Sequence, residues 1–227
     1  MKILPGIEII NKALWLPSKK ILILADLHIG YEEALNKQGI LVPRMQFMET
    51  KRDLKKLLRN VKPKTIIING DLKHEFGEIS QQEWSETSKI LNLLLRHSKE
   101  IILVKGNHDT ILEPIAKKKK LQTVNFYNIN DICILHGHKI LLTKAKCLII
   151  AHEHPAISLR EGPKSELYKC FLLGSWHNKK LVVMPSFMPI IEGSDIRKEK
   201  LLSPYLKNIS DFKIFIAADK TYSFGRI

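Results

Sequence analysis

The chain has 227 residues, of which 44 % are apolar and 26 % charged, and its formal net charge is +14. These values are typical of a folded globular domain and exclude a disordered chain. No apolar run reaches the length of a bilayer, and Pro5 and Glu8 interrupt the N-terminal segment before a signal peptide could form. We therefore expect a single cytoplasmic domain over residues 1–227, with no membrane partner.

The positive charge predicts a protein that is attracted to anions, namely nucleic acid, nucleotides or an acidic surface. A lysine-rich surface can equally serve solubility or life at high temperature. The densest run, Lys117 to Lys120, follows an apolar segment and is interpreted as a solvated helix end, where cations suit the helix dipole. Three scattered cysteines, Cys133, Cys147 and Cys170, indicate buried thiols in a reducing compartment rather than disulfides or metal ligands.

Strands and helices alternate in the first half of the chain. Residues 6–20 predict a strand and a turn at Pro17, which lead into the apolar strand before Asp26. A helix is predicted from Arg44 to Val61, because apolar residues recur there at helical spacing. The members of its apolar face are Met45, Met48, Leu54, Leu57 and Leu58.

A second helix should begin at Ser80, because Ser80 and Glu83 form a capping box. A shorter helix with Ile111, Leu112 and Ile115 is predicted to follow the third apolar strand. After Asp131 closely spaced strands take over, at residues 132–136, 138–143, 147–151, 170–174, 180–184 and 212–217. This order predicts an α/β fold in which two sheets pack face to face with helices outside.

Five of the apolar runs end in residues that bind metals. The runs and their polar ends are ILILAD with Asp26 and His28, TIIINGD with Asp71, IILVKGNHD with Asn107 to Asp109, ICILHGH with His136 and His138, and CLIIAHEH with His152 and His154. Open α/β sheets place their sites at the carboxyl ends of such strands. Asp, His and Asn without Cys predict a site for hard or borderline cations.

In this order, the five clusters resemble the calcineurin-like metallophosphoesterases. The resemblance covers roughly residues 20–155 and implies a four-layer α-β-β-α sandwich. It implies two divalent metal ions, with Asp71 bridging them. By the same resemblance the first metal is completed by Asp26, His28 and His154, and the second by Asn107, His136 and His152. Mn²⁺ is the metal expected first, while Fe and Zn also suit the set.

The resemblance assigns the chemistry to a hydroxide between the metals, which attacks phosphorus, and to His108, which assists the leaving group. His74 is its candidate partner. The sequence GDLKH, with His74 three residues after Asp71, is similar to DNA-repair nucleases of the SbcD type and favours phosphodiester substrates. Several motifs together look like the small archaeal SbcD-related phosphoesterases and the bacterial DNA-ligase-associated phosphoesterases. The substrate expected is thus nucleic acid or a nucleotide; protein partners stay undefined.

Two other functions stay open at this point. One is a phosphomonoesterase or cyclic-nucleotide phosphodiesterase that uses the same site. The other is a nucleic-acid-binding accessory protein whose metals are largely structural.

Single residues also have alternative interpretations. A guanidinium at Arg44 could reach a substrate phosphate, although an arginine at the start of an amphipathic helix is common. Asp109 is expected to cap the helix that follows it, and Glu32 and Glu33 to face solvent. His97, His177, Trp176 and Phe187 are expected to have ordinary surface or packing roles, and His136 rather than His138 is the expected ligand.

Overall fold

The computed structural model describes residues 1–75, 79–109 and 112–227 and consists of two packed sheets with helices outside. The predicted fold class is confirmed, whereas the extent of the domain, residues 1–227, stays a prediction. The strands are β1 (Lys2–Leu4), β2 (Ile7–Ile10), β3 (Ala13–Leu16), β4 (Ile21–Leu24), β5 (Thr65–Asn69), β6 (Glu100–Val104), β7 (Gln122–Val124), β8 (Phe126–Ile129), β9 (Ile132–Leu135), β10 (Cys147–Ile150), β11 (Pro155–Glu161), β12 (Lys164–Trp176), β13 (Lys179–Val183), β14 (Ser194–Asp195), β15 (Lys213–Ala217) and β16 (Thr221–Arg226). The helices are α1 (Tyr31–Lys37), α2 (Gln46–Asn60), α3 (Gln81–Leu95) and α4 (Glu113–Lys118). No helix among the described residues is long and apolar enough to span a membrane.

The first sheet has the order β1-β2-β3-β4-β5-β6-β7. Strands β4 to β7 are parallel, so the carboxyl ends of β4, β5 and β6 lie at one edge. Both faces of these strands are apolar. In β4, Leu22 and Leu24 pack against α2 and α3, while Ile21 and Ile23 pack against the second sheet. This double burial explains why the strands are continuous apolar runs.

The second sheet has the order β14-β11-β12-β13-β10-β9-β8, with β15 and β16 paired beyond β12. Its strands β9, β10 and β13 are parallel to one another. Its outer face carries residues such as Leu148 and Ile150, which pack against Tyr205, Leu206 and Phe212. In the described chain this outer layer consists of turns between β14 and β15 rather than of an α-helix.

Three predicted elements differ from the structure. Residues 138–143 form no strand: Leu142 is 89 % exposed, and the backbone amide of Leu141 donates to the Tyr205 hydroxyl at 2.7 Å. Helix α2 begins at Gln46, which leaves Met45 and Met48 exposed instead of on its apolar face. The strands β1, β7, β8, β11, β14 and β16 were absent from the sequence prediction, because they carry no long apolar run.

The start of α3 agrees with the prediction, because the Ser80 hydroxyl accepts a hydrogen bond from the Glu83 amide at 3.0 Å. Helix α4 is also present, although it is short. Of its predicted members, Leu112 and Ile115 are buried, while Ile111 lies outside the described residues. Lys117 and Lys118 lie in the last turn of α4, as expected for a solvated helix end.

Candidate metal centre

The carboxyl ends of five strands from the two sheets meet at one place. There the structure brings together three groups of side chains, and the candidate ligand atoms within each group lie within 4.8 Å of one another. The groups are Asp26, His28 and His154; Asp71, His136 and His152; and His28, His74 and His108. The first two match the histidine and aspartate members of the two ligand sets that the family resemblance implied.

In the first group, two imidazole nitrogens and a carboxylate point at one another. Nε2 of His28 lies 3.3 Å from Nε2 of His154, which in turn lies 3.4 Å from Oδ2 of Asp26. Such a convergence of ring nitrogens and a carboxylate oxygen suits a divalent cation of borderline softness.

In the second group, His136 has one nitrogen toward the site and one toward the backbone. Its Nε2 lies 3.3 Å from Oδ2 of Asp71 and 3.0 Å from Oδ1 of Asn107. Its Nδ1 donates to the carbonyl oxygen of Asn69 at 3.3 Å, the kind of contact that orients metal-binding histidines. Asn107 therefore lies with this group, as predicted.

Asp71 lies between the two groups. Its Oδ2 is 3.3 Å from Nε2 of His136 and 3.8 Å from Nε2 of His28. A ligand shared by two cations must reach both groups, and Asp71 does.

The backbone at the site has an unusual conformation, which the sequence analysis missed. The structure has left-handed backbones at five candidate ligands, with positive φ at Asp26, His28, Asp71, His152 and His154. Non-glycine residues seldom adopt this region, and its concentration at a functional site stores strain.

Two glycines leave the space that this arrangement needs. Gly70 has φ +83°, and a Cβ there would come within 2.0 Å of Nδ1 of His136. A Cβ at Gly106 would come within 2.0 Å of Oδ1 of Asp71. Larger residues at either position would displace a candidate ligand, because only glycine lets the backbone approach so closely.

The pKa values of both carboxylates and of two histidines in the site are lowered, for different physical reasons. Burial alone would raise the pKa of Asp26 and of Asp71, but neighbouring histidines lower both below the usual range. Burial lowers the pKa of His28 to about 3 and that of His152 to about 4. These rings are therefore neutral, the state in which imidazole binds metal.

His136 is the exception. Burial would lower its pKa, but the hydrogen bond with Asp71 and the charges of Asp26 and Asp71 raise it to about 9. Its Nε2 thus lies where two oxygen acceptors attract positive charge.

The donor set fits a metal centre. Oδ1 of Asp26 is buried and has no hydrogen-bond partner among the described residues. A buried carboxylate oxygen without a partner is costly, and a cation between the groups would satisfy it. The oxygen and nitrogen ligands, together with the neutral histidines, match what a hard or borderline divalent ion requires.

Several contacts hold His108 beside this centre. Its backbone amide donates to Oδ1 of Asp71 at 2.9 Å, and its Nδ1 donates to the carbonyl oxygen of His74. The His74 ring stacks on the His108 ring, with 5.1 Å between centroids. Burial lowers the pKa of His74 to about 4, so that this ring stays neutral.

A buried lysine that no sequence pattern had marked as functional supports these loops. Lys73 is fully buried, and its Nζ donates to the carbonyl oxygen of His108 at 2.8 Å and to that of Glu75. Its place inside GDLKH, between Asp71 and His74, was the available signal.

Asp109 does not cap α4 as predicted. Its carboxylate is buried and accepts from the amides of Leu72, at 3.1 Å, and Gly106, at 3.0 Å. Asp109 therefore joins the two loops that carry Asp71 and His108. Burial raises its pKa to about 6.

The prediction that Glu32 faces solvent is also wrong, whereas Glu33 is half-buried. Glu32 is buried and caps α2, accepting from the amides of Met45 at 2.7 Å and Gln46 at 2.8 Å. Glu33 accepts from the Ser80 hydroxyl. Neither contact is local in sequence, so helical periodicity could not indicate it.

A second buried lysine supports the opposite side of the centre. Lys169 on β12 donates to the Ser186 hydroxyl at 2.6 Å and to the carbonyl oxygen of Ile191. The segment between these two residues donates backbone hydrogen bonds to Ala25, at 2.8 Å, and to Asp26. Burial lowers the pKa of Lys169 to about 7, and the charge of Lys12 contributes in the same direction.

The remaining candidates lie outside the two ligand groups. Arg44 is exposed, and no described residue forms a hydrogen bond or ion pair with its side chain. His138 lies next to His136 and His152, with ring centroids 5.3 and 6.0 Å away. Burial lowers its pKa.

Four residues expected to have ordinary roles do so in the structure. His97 donates to the carbonyl oxygen of Leu93, and His177 is exposed in a turn. Phe187 is buried in the core, and Trp176 packs on Tyr205. The three cysteines are buried and free, as predicted.

Comparison with known proteins agrees with this geometry. The family model for calcineurin-like phosphoesterases matches residues 19–214, and the chain belongs to this family. The family and the His/Asp groups indicate a metal-dependent hydrolase with a dinuclear divalent metal site. No curated protein sequence matches the chain.

Solved structures also match the chain at low sequence identity. The nuclease MPE of Pseudomonas putida has a TM-score of 0.68 and 20 % identity, over 91 % of this chain and 89 % of its own. The phosphoesterase YfcE of E. coli has a TM-score of 0.43 and 14 % identity, over 91 % of this chain and 97 % of its own. At this identity the first likeness establishes the fold alone.

Proposed function

We propose that the protein is a dimetal phosphodiesterase that cleaves nucleic acid or nucleotides and belongs to the SbcD-related phosphoesterases. The observation that carries the proposal is Asp71, whose Oδ2 lies between the two groups of candidate ligands. Mn²⁺ is the proposed metal, because carboxylate, amide and imidazole ligands without thiolate suit it. Divalent cations bound there polarise the phosphoryl group and activate water for in-line attack.

In the proposed mechanism His108 moves the proton. Because its Nδ1 donates to the carbonyl oxygen of His74, its Nε2 is the atom that takes up and releases a proton. Protonation of the leaving oxygen by His108 lowers the charge that develops there. His74, stacked and neutral, holds the ring in place without adding a positive charge.

Two observations support a phosphodiester in nucleic acid or a nucleotide. His74 occupies the position where the protein phosphatases of this superfamily have an aspartate, and the net charge of +14 favours a polyanionic substrate. The Pseudomonas putida protein with the same fold is a nuclease, and nuclease activity is what we propose for this chain.

The test is an Mn²⁺-dependent activity panel with bis-p-nitrophenyl phosphate, p-nitrophenyl phosphate, cyclic nucleotides, and single- and double-stranded DNA. We expect the diesters to be hydrolysed faster than the monoester. The variant His108→Ala should lower kcat by about 10²–10⁴-fold, the usual contribution of general acid catalysis. His97→Ala is the matched control, because His97 lies at the end of α3 and contacts a helix carbonyl.

Full turnover in His108→Ala would contradict the assigned role. Preference for the monoester would favour a phosphomonoesterase. DNA binding without hydrolysis of any substrate, unchanged in Asp71→Asn, would favour an accessory binding protein.

A further inference from the structure

Helix α2 carries a dense row of cations on its outer face. A groove of about 290 Å³ runs along it, and we call this surface the basic groove. It is lined by Met48, Lys51, Arg52, Lys55, Lys56 and Arg59. Five of the six lining residues are positively charged, so an anion is the ligand that this surface would attract.

Most of these charges are not neutralised by the protein. Arg52 is 3.6 Å from Glu49 and 3.7 Å from Asp53. The other four cations of the basic groove form no ion pair with any described residue. Asp53 is moreover shared with Lys12, at 3.0 Å. The groove therefore keeps a strong positive potential.

The spacing of three of these cations does not stabilise the helix that carries them. Lys51, Lys55 and Arg59 follow one another at four-residue spacing, where like charges repel and destabilise a helix. The fold holds α2 by its opposite face, through Leu54, Leu57 and other buried residues. A row of repelling charges that packing does not require points to a ligand.

The basic groove is connected to the metal centre through α2 itself. The helix begins at Gln46, whose side-chain Nε2 donates to the carbonyl oxygens of His28, at 2.7 Å, and of Leu27. From there the 15 residues of α2 extend about 22 Å away from the centre.

A second cavity lies next to the basic groove. It has a volume of about 520 Å³, shares Lys56 with the groove and is also lined by Lys12, Lys169 and Phe187. The amide of Phe187 donates to the carbonyl oxygen of Ala25, next to Asp26. Three carboxylates, Asp53, Glu192 and Asp219, also line this cavity, so the excess of positive charge lies in the groove.

We propose that the basic groove binds the phosphate backbone of a nucleic-acid substrate beyond the scissile phosphate. This inference rests on the proposed function and names its substrate class as a polynucleotide rather than a mononucleotide. Lys51, Lys55 and Arg59 are about 6 Å apart along the helix axis, a step comparable with that between successive phosphates of one strand. The groove carries no base-reading pattern, so binding is independent of sequence.

The experiment compares two triple variants of the full chain. Lys51→Gln, Lys55→Gln and Arg59→Gln remove three charges from the basic groove. Lys117→Gln, Lys118→Gln and Lys120→Gln remove the same charge from the end of α4, beyond α3, and are the matched control. Binding of a labelled 20-nucleotide single strand and of the corresponding duplex is followed by fluorescence anisotropy at several salt concentrations, with EDTA present to prevent cleavage. Hydrolysis of bis-p-nitrophenyl phosphate with Mn²⁺ is measured in parallel.

We expect the groove variant to lose affinity for DNA by about tenfold or more, and its slope of log K against log salt to fall by about 2–3, because each phosphate contact contributes about 0.9 or less. The control should stay within about twofold of the wild type. Hydrolysis of the small diester should be unchanged in both variants, because that substrate does not extend into the groove. Equal losses in the two variants, or an unchanged slope in the groove variant, would overturn the inference.

The two proposals fail in different ways. If the wild type does not hydrolyse bis-p-nitrophenyl phosphate or any nucleic acid, the proposed function is wrong. If it hydrolyses the diester but the groove variant binds DNA as the control does, only the groove assignment is wrong.

Discussion

The backbone amide of His108 donates a 2.9 Å hydrogen bond to Oδ1 of Asp71, so the candidate proton donor is attached to the candidate bridging ligand. The other oxygen of the same carboxylate lies toward His28 and His136. Asp71 therefore does two things at once. It offers one oxygen to the metal centre, and with the other it sets the position of the loop that carries His108.

This arrangement predicts that Asp71→Asn separates the two roles. An amide oxygen still accepts from the His108 amide, but the negative charge needed by two cations is lost. We expect Mn²⁺ to raise the melting temperature of the wild type relative to EDTA, because a ligand that binds only the folded state stabilises it. In Asp71→Asn that shift should largely disappear, while the secondary structure measured by circular dichroism stays the same.

Asp131→Asn is the matched control, because Asp131 is an exposed carboxylate paired with Lys146. It should keep the full Mn²⁺-dependent shift. A normal shift in Asp71→Asn would show that Asp71 is not a metal ligand.

Lys73→Met should destabilise the protein and lower its activity. The substitution removes the donor that the carbonyl oxygens of His108 and Glu75 share in a buried place. A buried acceptor left without a partner costs about 1–3 kcal/mol, so the free energy of unfolding in urea should fall by about that amount per lost contact. The value of kcat should fall as well, because the loop that carries His108 is no longer held.

Lys180→Met is the matched control, because it removes a lysine from an exposed position on β13. Unchanged stability and activity in Lys73→Met would mean that other contacts hold the His108 loop.

Because Lys169 is buried, we expect the free energy of unfolding to increase as the pH rises above 7. Its pKa in the folded protein, lowered to about 7, lies below that of the unfolded chain, so the folded state binds this proton less tightly. Below pH 7 both states are protonated and the cost of the buried charge is fully present. As the pH rises above 7, the folded protein loses the proton first and the free energy of unfolding increases.

The measurement compares wild type and Lys169→Met in urea at pH 7 and pH 9.5. The difference in unfolding free energy should move in favour of the wild type by about 2 kcal/mol between the two values, given about 1.4 kcal/mol per pH unit as the limit. Parallel pH profiles of the two proteins would show that the lysine titrates normally.

The sequence predicted the strand ends well, for a physical reason. Strands buried on both faces must be continuous apolar runs, so the first polar residue after each run marks the edge of the sheet. Asp26, Asp71 and His136 each follow such a run by at most three residues, and the structure places all three at one centre.

Two kinds of feature could not be predicted. Glu32 and Asp109 accept hydrogen bonds from amides far along the chain, and no local pattern reveals which distant backbone will come near. The segment 138–143 has the apolar content of a strand, but it pairs with no strand in the described part of the chain, and the backbone amide of Leu141 donates to the Tyr205 hydroxyl instead. Local sequence pattern therefore predicts the secondary-structure elements. Tertiary contacts determine which side chains hydrogen-bond to the loops between them.

The left-handed backbone at five candidate ligands lowers the stability of the metal-free protein. These residues are Asp26, His28, Asp71, His152 and His154. Each such residue costs on the order of 1–3 kcal/mol, which is a large part of the stability of an ordinary domain. The rest of the fold, above all the packed β4, β5 and β10, has to exceed that cost before any ion binds. The protein is thus less stable than it could be, but its ligands are already in position. We expect selection for a more stable apoprotein to change these residues first, and the site would be weakened as a result.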